Sequence, residues 1–283
     1  MKKTILVGID FSDCSINALE HALTIADKAE ANVVMIWVNR PDSSQEIFST
    51  EPENLIEEVN KRFNELVNKY KYGLEKGAIS FIIKKGKVYQ EIVKAADELD
   101  AFLIVIGTHG SSGFEEFWIG SNANRIVSAT ERPVITIRGG VDINRTLTKI
   151  VMPVDSTIES RQKVPLTALL AKYFEAEIHV LAMHTTIVEE VRARVTEYTK
   201  QVERYLLENE VKFHTEEIEA DNITDTAIEY ATRVNANLIS ITDEQETTTA
   251  NLWLGPYAQQ MVNHSPIPVL CVHAKDLLVG MGM

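Results

Sequence analysis

Short runs of hydrophobic residues alternate along this chain with longer segments in which hydrophobic residues recur every three or four positions. The short runs are typical of buried parallel strands, and the recurring pattern is typical of amphipathic helices. Strands that alternate with helices predict a parallel sheet with right-handed crossover connections. The first half contains five such runs, at residues 3–10, 33–38, 79–83, 102–106 and 133–138.

Helices are predicted between these strands. Ser12 offers an N-cap for the first of them, and the last runs from Ser121 to about Thr130. Residues 40–52 contain Pro and Ser and predict a loop. The pair Gly139-Gly140 then interrupts the pattern, and we interpret it as a linker.

The same pattern begins again after the linker. Residues 149–156 repeat residues 4–11 at an offset of 145, and residues 238–242 repeat residues 103–107 at an offset of 135. The second half is therefore the same unit, about ten residues shorter, and the difference falls mainly in the loop after its second strand. The predicted domains are residues 1–140 and residues 146–275.

Composition narrows the class of protein. The chain has 283 residues, of which 45% are hydrophobic and 24% charged, which is typical of a globular protein with one large or two ordinary domains. A net charge of −13 argues against a nucleic-acid-binding surface, because phosphate contacts need clustered Lys and Arg. No early hydrophobic run suits a signal peptide or a membrane span, so we predict a cytoplasmic protein. Cys14 and Cys271 are predicted to be reduced thiols.

Glycines punctuate the segment that follows the fourth predicted strand. Gly107 and Gly110 are three residues apart, and nine residues separate Gly110 from the pair Gly120-Ser121. Glycine allows positive φ and a close approach of the main chain, and the first amides of a helix that starts near Ser121 would point free N–H groups into the loop. These features predict a phosphate site. The alternative is that the glycines only shape a turn and the start of a helix.

This spacing resembles the G-x2-G-x9-G-[ST] signature of the ATP-binding universal stress proteins. Neither G-x-G-x-x-G nor G-x4-G-K-[ST] occurs in the chain. The resemblance covers both halves and implies two tandem α/β domains of a Rossmann-like, adenine nucleotide alpha hydrolase-like fold. Each would have a five-stranded parallel sheet with helices on both faces. It also implies that the domains pair through their last strands, which would give a pseudo-dimer within one chain and leaves a homodimer of whole chains open.

The resemblance implies that the first half binds ATP, or AMP or ADP, with or without Mg²⁺. Asp10 ends the first strand, where an open parallel sheet has its crevice, and would face the nucleoside. The main chain of Val38 would meet the adenine. The alternatives are a helix-capping carboxylate at Asp10 and an ordinary core residue at Val38. The residues implied at the phosphates are Gly107, Thr108, His109, Gly110, Gly120, Ser121 and Asn122.

The second half departs from this motif. Thr242, Gln245 and Pro256 stand where the first half has two of its glycines and its serine, and only Gly255 is retained. The Cβ atoms of Thr242 and Gln245 restrict positive φ, and Pro256 lacks an N–H group. Acidic residues also surround this loop, so we predict that the second half does not bind ATP.

The sequence is compatible with three functions. The leading hypothesis is a stress-response regulator that acts by binding one nucleotide in its first half, with no catalytic residue and no metal cluster. The second is a scaffold that binds no nucleotide, which is favoured by the degenerate second loop and by Glu115 and Glu116 in the first loop, where many relatives have basic residues. The third is a slow ATP hydrolase or nucleotidyl transferase that uses His109 and a bound metal.

Overall fold

The computed structural model describes residues 2–40, 52–108, 121–139, 145–243, 245–246 and 253–274. The first half contains β1 (Thr4–Gly8), α1 (Asp13–Ala29), β2 (Asn32–Asn39), α2 (Pro52–Tyr70), β3 (Ile79–Lys85), α3 (Val88–Glu98), β4 (Leu103–Gly107), α4 (Ser121–Ala129) and β5 (Val134–Ile137). The second half contains β6 (Lys149–Val154), a 3-10 turn (Glu159–Arg161), α5 (Val164–Phe174), β7 (Glu177–His184), α6 (Glu189–Glu208), β8 (Phe213–Glu219), α7 (Ile223–Arg233), β9 (Leu238–Asp243), β10 (Gln245–Glu246), β11 (Trp253–Leu254), α8 (Pro256–His264) and β12 (Val269–His273).

The strands of both halves join into one ten-stranded sheet. Its order is β3-β2-β1-β4-β5-β12-β9-β6-β7-β8, so each half contributes five consecutive strands. Neighbours within a half are parallel, whereas β5 and β12 are antiparallel, with Val269 opposite Thr136 and Cys271 opposite Val134. This confirms the predicted pairing of the two last strands. Each strand covers an edge that would otherwise present unpaired N–H and C=O groups.

Helices cover both faces of the sheet, because alternate side chains of a strand point to opposite faces. In β1, Ile5 and Val7 pack on the face that carries α1, α2, α5 and α6. Leu6 packs on the opposite face, with α3, α4, α7 and α8. Each of the two hydrophobic clusters contains residues from both halves, so both cores continue across the junction between β5 and β12.

The first helix of each half ends in the same way but begins differently. Glu30, after α1, and Glu175, after α5, both have left-handed φ angles, 53° and 54°. α1 is continuous from Asp13, whereas α5 begins only at Val164, after the separate 3-10 turn. Pro165 accounts for part of this break, because it has no N–H group to donate to a carbonyl in the preceding turn.

The predicted difference in length lies mainly where we expected it. Twelve residues separate β2 from α2, whereas four separate β7 from α6. α2 is amphipathic and buries Val59 and Phe63 against the sheet, while its opposite face is charged. Among the described residues, no helix combines the length and the apolar character that a membrane span requires.

Candidate functional site

The carboxyl ends of β1, β2 and β4 lie at one edge of the sheet, where the first half is expected to have its crevice. The chain runs outward from β1 to β2 and β3 and then crosses back to β4 and β5, so the strand order reverses between β1 and β4. Ligands of open α/β sheets bind outside the carboxyl ends of the strands at such a reversal. Asp10 follows β1, Val38 lies one residue before the end of β2, and Gly107 ends β4. The fold therefore brings these three predicted residues to one edge.

Asp10 shapes the turn that leads into α1. Its Oδ1 accepts hydrogen bonds from the Ser12 amide at 3.0 Å and from Ser12 Oγ at 2.5 Å. Ser12 in turn caps α1 by accepting from the Ser15 amide at 3.2 Å, as predicted. Asp155 makes the same contacts with Thr157 in the second half, at 2.7 Å and 2.5 Å. One carboxylate oxygen thus has a structural role in both halves, and Asp10 is an exposed residue.

Phe11, next to Asp10, has a strained main chain. Its φ angle is 63°, which is uncommon for a residue with a large side chain. The Phe11 ring packs against the Phe63 ring of α2, with the centroids 5.0 Å apart. Ser156, the counterpart of Phe11 in the second half, is not among the residues with positive φ. This packing fixes the turn at the crevice, and the sequence offered no signal for it.

Gly107 is required for a close approach and not for positive φ. Of the two properties that glycine allows, only the close approach is used here, because Gly107 lies in β4 without a positive φ. A Cβ atom at Gly107 would lie 2.8 Å from Cys14 Sγ, in the first turn of α1. Cys14 is a reduced thiol, as predicted, and its Sγ donates to the Ile137 carbonyl at 3.3 Å. The role of Cys14 in packing α1 against the end of β4 was missed by the sequence reasoning.

The structure describes some of the remaining predicted site residues and not others. The Thr108 amide donates to the Ile137 carbonyl at 2.9 Å, and the residue is only 2% exposed, so its amide belongs to the sheet. The Val38 side chain is buried in the core. Ser121 begins α4, as predicted, and Asn122 lies partly exposed in its first turn. Three further predicted residues lie outside the described part of the chain: His109, Gly110 and Gly120.

Comparison with known proteins identifies the family. The profile of the universal stress protein family matches residues 1–138 and again residues 146–273. The chain belongs to the universal stress protein family. It is 30% identical over 148 residues to universal stress protein YxiE of Bacillus subtilis. This alignment covers 49% of this chain and 100% of the relative. It is 31% identical over 139 residues to universal stress protein MJ0531 of Methanocaldococcus jannaschii, which covers 48% of this chain and 82% of the relative.

A solved structure matches the whole tandem arrangement. The universal stress protein from Archaeoglobus fulgidus has a TM-score of 0.74 and covers 96% of this chain and 98% of its own. Because the sequence identity is only 16%, this likeness shows the fold alone. The predicted fold, two universal stress protein domains in tandem, is thereby confirmed.

The second universal stress protein domain has a different carboxyl edge. Thr242 replaces Gly107 and is 6% exposed, and its Oγ1 has no hydrogen-bond partner among the described residues. Asp243, at 0% exposure, lies with its Oδ2 3.4 Å from His273 Nδ1 and accepts from the Gly255 amide at 3.4 Å. The position before α8 therefore already holds a buried carboxylate, which disfavours a second anion.

Residues of the second domain also contact helix α4 of the first domain. Asn124 Nδ2 on α4 donates to Asn263 Oδ1 on α8 at 3.0 Å. Arg138, just after β5, donates to the carbonyl of His264 at the end of α8, at 3.2 Å. The main chain of β11, which pairs with β10 in a small antiparallel hairpin, lies beside α4. The helix at the first crevice is thus supported from across the domain junction.

Proposed function

We propose that the protein binds one adenine nucleotide at the carboxyl edge of its first domain and takes part in a stress response by binding and not by turnover. The proposed ligand is ATP, or AMP or ADP, with or without Mg²⁺. The observation that carries the proposal is the start of α4 at Ser121. A crossover helix runs antiparallel to its strands, so the first N–H groups of α4 face the same edge as the glycine that ends β4.

Each residue has a proposed role. Asp10 would meet the nucleoside, and the main chain of Val38 would meet the adenine. The phosphates would lie against the loop that follows Gly107, with contacts from His109, Gly110, Gly120, Ser121 and Asn122. Because the Thr108 amide already bonds to Ile137, Thr108 is proposed to position this loop from within the sheet.

The second domain is proposed to bind no nucleotide. Pro256 begins α8, so the residue that replaces Ser121 has no N–H group to offer a phosphate. The buried carboxylate of Asp243 adds like-charge repulsion at the same edge. The expected stoichiometry is therefore one nucleotide per chain.

Mass spectrometry of the ligand released from freshly purified, denatured protein separates the candidate functions. ATP, ADP or AMP at close to one per chain supports the proposal. An empty protein that also fails to bind added nucleotide would favour a scaffold, for which the shared cores of the two domains are the supporting observation. Steady formation of product from added ATP would instead favour a slow hydrolase.

Titration calorimetry with ATP, with and without Mg²⁺, tests where the nucleotide binds. Gly110→Gln copies the second domain, and Gly120→Pro removes an N–H group next to the start of α4. Each is expected to weaken binding by about ten- to hundredfold, which corresponds to about 1 to 3 kcal/mol. Gln245→Gly is the matched control and should restore no second site, because Pro256 and Asp243 remain. Two nucleotides per wild-type chain, or unchanged binding by Gly110→Gln, would contradict this placement.

A further inference from the structure

Helix α4 is the element of the proposed nucleotide site that also touches the other domain. It begins at Ser121, and its first N–H groups are the ones proposed to face the phosphates. The first four residues of a helix carry the N–H groups that have no partner within it, and Asn124 is the fourth residue of α4. A contact of the Asn124 side chain therefore acts on the turn of α4 that is proposed to meet the ligand.

The side chain of Asn124 reaches across the domain junction. Its Nδ2 donates a hydrogen bond to Oδ1 of Asn263, in the last turn of α8, at 3.0 Å. Its Oδ1 is buried without a hydrogen-bond partner among the described residues. If Asn263 were replaced by a residue that cannot accept, Nδ2 would lose this partner as well, at a cost in free energy. The orientation of Asn124 therefore depends on Asn263.

The last turn of α8 is itself held in place. Arg138, just after β5 of the first domain, donates to the His264 carbonyl at 3.2 Å. A cation at the C-terminus of a helix also interacts favourably with the partial negative charge there. Ser265, which follows α8, donates from its Oγ to the Ile267 carbonyl at 2.7 Å. Asn263 therefore projects from a turn whose position two side-chain hydrogen bonds fix.

A second part of the same domain also lies along α4. β11 pairs with β10, with Leu254 opposite Gln245, and the main chain of β11 lies beside α4. At the offset of 135, this hairpin stands where the first domain has residues 110–120 of its glycine-containing loop. The Asp243 carboxylate, at the end of β9, accepts from the Gly255 amide at 3.4 Å and ties the two ends of the hairpin together. The segment that lacks the phosphate motif in the second domain is thus placed beside the helix of the first.

The repeat by itself does not require the pair of asparagines. At the offset of 135, the position of Asn124 corresponds to Gln259, and the position of Asn263 corresponds to Ser128. The Ser128 hydroxyl donates to the Asn124 carbonyl at 2.8 Å, within α4. The two asparagines are therefore particular to this one contact, between the last turn of α8 and the first turn of the helix that follows the intact motif.

We propose that Asn263 of the second domain is a positioning residue for the phosphate site of the first, because it holds the first turn of α4 through Asn124. This inference rests on the proposed binding of a nucleotide by the first domain. Hydrogen-bond donors bind an anion well when they are held in place before the ligand arrives. The second domain then sets the affinity for the phosphates without touching the ligand. The proposed contacts of Asp10 and Val38 with the nucleoside do not involve α4 and are independent of Asn263.

Titration calorimetry of the full chain with ATP and, separately, with adenosine tests this role. Asn263→Ala is expected to weaken ATP binding by about three- to tenfold, the usual effect of one partly buried hydrogen bond, and to leave the affinity for adenosine unchanged. Asn124→Ala should have the same effect, and the double variant no larger one, because both residues act through one contact. His264→Ala is the matched control, since His264 is an exposed side chain next to Asn263. It should bind both ligands as the wild type does.

Hydrogen exchange of the α4 amides without nucleotide separates this inference from the proposed function. Exchange in α4 should be faster in Asn263→Ala than in the wild type and in His264→Ala, because the helix loses a contact. Unchanged exchange in Asn263→Ala, or an equal loss of affinity for ATP and adenosine, would overturn the positioning role and leave nucleotide binding intact. A wild type that binds neither ligand, while Asn263→Ala still exchanges faster in α4, would overturn the proposed function but not the hold of Asn263 on α4.

Discussion

The two domains share their strand order and their main-chain register, yet their carboxyl edges differ. At the first edge Gly107 allows α1 to approach the end of β4 through Cys14. At the second edge Thr242 stands in place of Gly107. A 3-10 turn precedes α5 there, where α1 of the first domain is already helical. The core of a repeat can therefore be kept while the start of its first helix, and the residue at the end of its fourth strand, change.

The difference extends below the edge into the core. Thr167 and Ser240 hydrogen-bond to each other at 2.7 Å in the second domain, fully buried between α5 and β9. Lys163 is also buried there, and its Nζ donates to the Ser160 carbonyl. Three of the buried positions that are apolar in the first domain and polar in the second are Ala18 and Lys163, Ala22 and Thr167, and Val105 and Ser240. Polar groups in the core are tolerated here because they have partners.

The largest effect is expected when the two domains are separated. Residues 1–140 alone would expose β5 and cut through both hydrophobic clusters. We expect a homodimer that pairs β5 with β5, or an insoluble product. An uncovered edge strand presents unpaired N–H and C=O groups that pair with another strand. Light scattering after size-exclusion chromatography over a range of concentrations measures this. A well-behaved monomer at high concentration would show that the first domain does not need its partner.

A matched pair of alanine substitutions tests the two edges. Gly107→Ala should destabilise the protein by about 1 to 3 kcal/mol, because the new Cβ meets Cys14. Thr242→Ala should change stability by less than about 1 kcal/mol, because the lost methyl group is offset by the removal of a buried hydroxyl without a partner. Urea unfolding of both variants gives the two values. Equal effects would mean that the edges are packed alike.

The two domains are also expected to differ in how their stability depends on pH. Burial, and then the charge of Arg145, lowers the pKa of His21 on α1 to about 4. Its unfolded pKa is about 6.5, so His21 contributes full stability above that value and loses it as the pH falls towards 4. His21→Leu copies Leu166 of the second domain and removes this titration. Between pH 7.5 and pH 5, the free energy of unfolding should therefore fall by about 2 kcal/mol more in the wild type than in His21→Leu. Urea unfolding at pH 7.5 and pH 5 measures this, and identical losses in both proteins would contradict it.

The smallest expected effect concerns helix caps. Asn222 caps α7 by accepting from the amides of Thr224 at 2.9 Å and Asp225 at 3.2 Å. Lys87, at the same place before α3, makes no side-chain cap. Asn222→Ala should cost about 1 kcal/mol, while Lys87→Ala should be close to neutral. Thermal unfolding of both variants checks the difference, and a larger loss in Lys87→Ala would reverse this assignment.

The fold was predictable from the sequence to a large extent. The alternation of strands and helices, the repeat and the shortened second half all follow from local hydrophobic patterns, which act over a few residues and are readable along the chain. The starts of α1 and α4 followed from Ser12 and Ser121 in the same way. The candidate site was predictable as far as its strand ends, because parallel strands place their carboxyl ends at one edge.

The tertiary structure decided what depends on residues that are distant along the chain. The reason for glycine at position 107 is Cys14, which lies over ninety residues earlier and carries no motif of its own. The burial of Asp243 against His273 and the hydrogen bond between Asn124 and Asn263 likewise arise only when separate strands and helices meet. Local patterns thus determined which elements form, whereas the packing between elements determined which side chains come within reach of one another.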